Sequence, residues 1–270
     1  MKCTLILAAL FATLLRPACA ADCSPQADEV NARCYASLQD TVGAALATER
    51  PLVLPRGTYS GALVIDYSSH AGTGFELISR GATINGTLTI QCSSDCFYFH
   101  QEGTLFVTAN VPGYSVTIGK PDFSDAHNSK KLDHLVVNNS GSGGAVQLNY
   151  VLNADIFVVA DTAGDKGLAL EQTQFPTIRG AMSAGKGAAV AIENGYSFAN
   201  TLTSLDLEAS LVCRLITSTK ASYFGNVAPY TNCPTVVATT HAAWNSWINT
   251  SRGISGMTGG AMVTALKWLD

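Results

Sequence analysis

Two glutamates, Glu171 and Glu193, end two of the short apolar runs that recur through the second half of the chain. The runs are GAVQL from Gly144, GLAL from Gly167, GAAVAI from Gly187 and LVCRLI from Leu211. The three glycines start 23 and 20 residues apart, and Leu211 comes 24 residues after Gly187. A second apolar run follows each first one. Leu148 leads to Ile156, Leu170 to Ile178 and Leu215 to Tyr223 by eight residues, and Ile192 leads to Leu205 by thirteen. A period near 22 without helical patterning predicts a parallel β-solenoid, in which each turn adds equivalent strands to one sheet. Residues one turn apart then lie about 4.8 Å from each other. Aligning Leu148, Leu170 and Ile192 puts Asn149, Glu171 and Glu193 in one column, with Thr217 roughly next. Carboxylates so placed repel, and one could keep a proton or share a cation. Retaining glycosidases hold a nucleophile and an acid/base carboxylate about 5–5.5 Å apart. The same pair could bind Ca²⁺ if carbonyls or Asn149 completed the shell. The plain alternative is two side chains splayed into solvent, where repulsion is screened.

A second column aligns Phe157, Arg179, Asp206 and Phe224. It predicts an Arg179–Asp206 ion pair, worth little if exposed. In a polyuronate-cleaving site such an arginine would hold a substrate carboxylate beside a base. Asp155, Lys166, Lys186 and Arg214 could contribute, but no spacing selects among them. The histidines His70, His100, His127, His134 and His241 are scattered and form no metal-ligand pattern. No GxSxG elbow, P-loop or dinucleotide fingerprint is present, so no cofactor is expected beyond the Ca²⁺ alternative.

Residues 1–20 read as a secretory signal: Lys2, an apolar stretch from Leu5, and the small-residue site Ala18-Cys19-Ala20. No run is long enough for a membrane span. The expected place is therefore extracellular, or periplasmic in a bacterium. Removing the signal leaves 14 basic and 20 acidic residues, a net charge of −6. With no basic stripe, nucleic acid is not the expected partner. Six cysteines remain, and proximity suggests Cys23–Cys34, Cys92–Cys96 and Cys213–Cys233 among fifteen formal pairings. Asn85, Asn138 and Asn249 each begin a glycosylation acceptor pattern.

Residues 21–50 read as a leader and capping helix. Leu38, Val42, Ala45 and Leu46 share one face, and Ser37 with Asp40 makes an N-terminal cap. Such a helix would cover the first apolar layer and hide the strand edges of residues 51–235. Strands are expected at Leu52–Leu54, from Tyr59, and at Ala62–Ile65, Phe75–Ser79, Thr87–Gln91, Cys96–His100, Thr104–Thr108 and Tyr114–Ile118. Gly119 to Lys131 reads as a long polar loop. A short helix over 239–249 and an apolar tail would close the far end as a C-terminal cap over 236–270. Tyr230, Trp244, Trp247 and Trp268, near that end of the chain, are candidates for self-association.

The stretch LQDTVGAALATERPLVLPRGTY, with the later LVI and FELISRGATING, resembles the N-terminal opening of the pectate-lyase/pectin-lyase-like superfamily. The resemblance covers Leu38 to Ile90. It implies an all-β, single-stranded right-handed parallel β-helix with a capping helix. Members include pectate lyases, polygalacturonases, epimerases, tail spikes and adhesins. The Asn-Thr-Asp, Asp-Asp, Gly-His-Gly and Arg-Ile-Lys signatures of the pectin-hydrolysing members are absent here. Two functions are therefore expected as rivals. One is a polysaccharide hydrolase or lyase using Glu171 and Glu193, with Arg179 and Asp206. The other is a non-catalytic surface protein that binds glycan or protein.

Overall fold

Each turn of the chain lays one long strand in a first sheet and one short strand in a second, and every pairing is parallel. The computed structural model describes residues 23–24, 27–70, 72–93, 96, 98–120, 130–193, 196–216, 220–224, 230–231 and 236–238. The expected cleavage signal, the body of the polar loop at 121–129, the helix over 239–249, the apolar tail and Cys233 fall outside the described residues. The first sheet holds β1 (Val30–Asn31), β2 (Leu52–Leu54), β3 (Gly57–Ser60), β5 (Phe75–Asn85), β7 (Phe99–Ala109), β9 (Lys130–Asn139), β11 (Ala154–Thr162), β13 (Thr177–Ala184), β15 (Tyr196–Ala209), β17 (Lys220–Phe224) and β18 (Tyr230–Thr231). The second holds β4 (Leu63–Asp66), β6 (Leu88–Gln91), β8 (Val116–Ile118), β10 (Val146–Asn149), β12 (Lys166–Glu171), β14 (Ala188–Glu193), β16 (Val212–Ile216) and β19 (Val236–Ala238). The result is a single-stranded right-handed parallel β-helix with an N-terminal helix.

The core is a set of ladders, because strand alternation sends every second residue inward. Ile65, Ile90, Ile118, Leu148, Leu170 and Ile192 follow one another in register, all buried. Leu63, Leu88, Val116, Val146, Leu168 and Val190 make a parallel ladder beside them.

The first-sheet strands are longer than their sequence suggests. Phe75–Ser79 continues past Gly81 to Asn85, and Phe99 runs on through Thr108 as one strand. The reason lies in a register slip between Arg80 and Ala82. Phe75, Leu77 and Ser79 face inward before it, and Ala82 and Ile84 after it. One extra residue, Gly81 at φ 78°, resets the alternation so that the strand bends and keeps its apolar face inside. A similar shift separates buried Leu132 from buried Leu135 in β9.

Near the first turns the interior is aromatic. Phe75 stacks on Phe99 at 6.2 Å, and Tyr67 packs on Phe99 at 5.7 Å. The next residue in that column is Lys130, only 1% exposed, with its Nζ 5.3 Å from the Tyr67 ring centre.

The helix α1 (Leu38–Thr48) buries Leu38, Thr41, Val42 and Ala45 against this core. Ser37 Oγ accepts from the Asp40 N–H and donates to Asp40 Oδ2 at 2.7 Å, as its spacing predicts. Gln39 does more than face solvent. Its Nε2 donates to the Val64 carbonyl at 2.9 Å and its Oε1 accepts from the Val64 N–H at 3.2 Å. The carboxamide thus occupies hydrogen-bonding groups on the edge strand β4. Cys23–Cys34 and Cys92–Cys96 are disulfides, with Cα separations of 5.5 and 6.3 Å. Asn85 and Asn138 are both exposed.

Candidate functional site

Leu148, Leu170 and Ile192 anchor the second sheet from inside, and the residue after each is carried to the sheet's end. Asn149 pairs in register with Glu171, and Glu171 with Glu193, so the expected column forms over these three residues, while Thr217 lies outside the described residues. The corner beyond it is repeated too. Tyr150 and Gln172 both take left-handed conformations, at φ 51° and 53°, and the Tyr150 N–H donates to the Glu171 carbonyl at 2.9 Å.

The two glutamates have different partners. Lys166 Nζ lies 2.8 Å from Glu193 Oε2 and 3.3 Å from Asp165 Oδ2. The Lys166 and Glu193 side chains are only 17% and 20% exposed. Glu171 Oε2 instead accepts from Gln147 Nε2 at 3.3 Å. Burial works against the Lys166 charge, but the hydrogen bond to Glu193 and the nearby carboxylates hold its pKa above the ordinary lysine value. Tyr114 stands close by, its ring against Gly144, where an added Cβ would strike it. Burial pushes its phenol up to about 12, with Glu193, Asp165 and Glu171 adding to the rise and Lys166 opposing it. At neutral pH the patch therefore presents a charged ammonium and a neutral phenol.

This arrangement bears on the chemistry open to the pair. A glycosidase acid/base must hand a proton to the leaving oxygen. Glu193 has one oxygen committed to Lys166, so that role would require breaking a largely buried ion pair. The cation that neutralises Glu193 is Lys166. Among the described residues no group of three or more His, Cys, Asp or Glu is placed to hold a metal ion.

Arg179 and Asp206 do not meet. Arg179 lies beside Phe157 as expected, but its Nη2 donates to Asp155 Oδ1 at 2.6 Å. The register slips between Ile178 and Gly180, where β13 pairs with β15, and Asp206 falls opposite Ala181. Gly180 sits at φ 126°, and a Cβ there would collide with the Val158 carbonyl. Phe224 likewise falls opposite Thr201, not beside Asp206. The expected ion pair fails because β13 and β15 do not count residues equally through the bend.

One charged group escaped the spacing argument altogether. On the outer face of the first sheet, His100 Nε2 is 3.3 Å from Asp133 Oδ1 and His100 Nδ1 is 3.7 Å from Glu76 Oε1. Lys131 Nζ is 3.2 Å from the same Asp133 oxygen. Burial raises the Asp133 pKa, but hydrogen bonds from Lys131 and His100 outweigh it and hold the carboxyl below its ordinary value. The signal that could have found this group is the repeated Phe75-Glu76 and Phe99-His100, since the two phenylalanines pair in register.

No protein-family model, curated protein or solved structure matches the chain. Among the described residues no helix is long and apolar enough to cross a membrane.

Proposed function

We propose that the chain is an exported solenoid that binds an extracellular polysaccharide along the outer face of the second sheet. The supporting surface is regular. Thr89, Thr117 and Gln147 follow one another in register, each half-buried, and give a row of hydroxyl, hydroxyl and amide about 4.8 Å apart. The row ends at Gln147, whose Nε2 donates to Glu171 at 3.3 Å, and Lys166 and Tyr114 stand near Glu193 as further donors. The observation that carries the binding reading over catalysis is the Lys166–Glu193 ion pair at 2.8 Å. It supports both groups as recognition elements, since proton transfer by Glu193 would require breaking that pair.

Catalysis by the glutamate pair is the second reading, favoured by the register that brings Glu171 beside Glu193. One experiment separates the two. The mature protein is incubated, with calcium supplied, with a panel of acidic and neutral polysaccharides. Reducing ends, unsaturated-uronate absorbance and binding are followed together. Binding without new ends, weakened about tenfold (about 1.4 kcal/mol) by Glu193→Gln, is the expected result. New reducing ends that vanish in both Glu171→Gln and Glu193→Gln, with melting temperatures unchanged, would establish the pair as catalytic. A folded protein that binds nothing on the panel would overturn both.

A further inference from the structure

A cleft of about 210 Å³ opens where the C-terminal end of α1 meets the start of β5, and Glu76 of the His100 group lines it. Glu49, Arg50, His70, Glu76 and Tyr98 supply its polar and aromatic lining. It is smaller than the roughly 300–1,000 Å³ of ordinary small-molecule pockets, which suits a single ring with its substituents.

The lining favours a cation. Glu49 and Glu76 provide two carboxylates against the Arg50 guanidinium, whose Nη1 donates to the Ala27 carbonyl at 2.7 Å, while His70 Nε2 lies 4.0 Å from Glu49 Oε1 and His100 Nδ1 lies 3.7 Å from Glu76 Oε1. The helix ends here at Glu49, so its carbonyl-bearing terminus adds partial negative charge to the same place. Tyr98 is 41% exposed, and its ring stands over Gly74, where an added Cβ would run into the Tyr98 backbone and Cβ. An aromatic face held against the backbone next to carboxylates is suited to an ammonium and to the flat side of a sugar ring. Burial raises the Tyr98 phenol pKa, and Glu76, Asp133 and Glu102 add to the rise while Lys131 opposes it, in line with a negative local field.

We infer that this cleft binds a protonated amino-sugar unit, its ammonium held by Glu76 and Glu49 and its ring laid on Tyr98. The inference goes beyond the second-sheet reading and does not depend on it, because none of these residues belongs to that face.

The test is a calorimetric titration of the full chain at physiological ionic strength with a glucosamine tetramer and, separately, its fully N-acetylated counterpart. The amine-bearing tetramer should bind and the acetylated one at least tenfold more weakly. Glu76→Gln and Tyr98→Ala should each weaken binding at least tenfold, while Asp161→Asn, remote from the cleft on β11, should leave it unchanged. Glu49→Gln is a second probe that cannot disturb the core, since that side chain is 70% exposed. Equal binding of the two tetramers, no binding of the amine form, or binding that survives Glu76→Gln, Glu49→Gln and Tyr98→Ala would overturn the inference. Loss on Glu193→Gln alone would assign the sugar to the second sheet instead.

Discussion

Lys130 is the residue at which composition and position are most at odds. It occupies the aromatic column below Phe99, and burial pushes its pKa down to about 7 from the ordinary 10.5. In the unfolded chain the ammonium keeps its proton up to about pH 10.5, whereas the folded chain gives it up from about pH 7. The unfolded state therefore binds more protons between those values, and stability attributable to Lys130 rises with pH across that window. Below pH 7 the full penalty applies, with a ceiling of about 5 kcal/mol at 1.36 kcal/mol per unit. Lys130→Met should remove the slope and be the more stable protein at pH 6, with the two converging toward pH 10.5. Urea denaturation of both proteins across that range measures it; parallel pH profiles would contradict the buried-charge account.

At the scale of the element, the corners carry as much specificity as the strands. Asn139 is fully buried at the end of β9. Its Nδ2 is shared among the carbonyls of Val111, Gly113 and Gly144, and its Oδ1 accepts from the Val111 and Gly141 N–H groups at 3.1 and 3.0 Å. One side chain thus satisfies the backbone of two successive corners. Asn139→Ala would leave several buried groups unpaired and should cost about 3 kcal/mol, at roughly 1–3 kcal/mol per group less what water recovers. Thermal unfolding checks it, and a loss under about 1 kcal/mol would mean that the corner relaxes around the gap.

These elements also show what could be read in advance. The helix and its Ser37 cap were legible because capping is decided within four residues. The Asn149–Glu171–Glu193 column was legible because two successive turns have equal length, 22 residues between Leu148, Leu170 and Ile192. Arg179 and Asp206 were misaligned because a slip at Gly180 leaves no mark in hydrophobic pattern. The break of alternation at Ser79-Arg80-Gly81 reads as the end of a strand, although the backbone continues through it. Glu76, His100 and Asp133 went unseen because loops stretch the early turns, so no single period aligns them.

For the whole molecule, stability is passed from turn to neighbouring turn, and a free end exposes unpaired strand edges. Helix α1 closes the N-terminal end, with Val42 and Ala45 each 1% exposed. Val42→Asp would place a carboxylate in that contact and cost roughly 3 kcal/mol or more. Undocking should reveal β4 as well, since Gln39 would leave the Val64 backbone. The expected outcome is concentration-dependent association in sedimentation velocity, with Gln39→Ala as a milder version of the same effect. A Val42→Asp protein that stays folded and monomeric at high concentration would show that the helix is dispensable as a cover.

The ladder of Ile65, Ile90, Ile118, Leu148, Leu170, Ile192 and Ile216 has successive gaps of 25, 28, 30, 22, 22 and 24 residues, and its strands remain in register throughout. Most of that variation is absorbed outside the paired strands, and single-residue steps are taken up as bulges in the first sheet. Insertions and deletions at the corners are therefore nearly invisible to the core, whereas a single residue added inside β10 or β12 would turn a ladder inside out. A lineage built on such a frame can lengthen, trim or exchange its surface loops while its interior stays unchanged. The same freedom makes those corners the natural places to graft a foreign peptide.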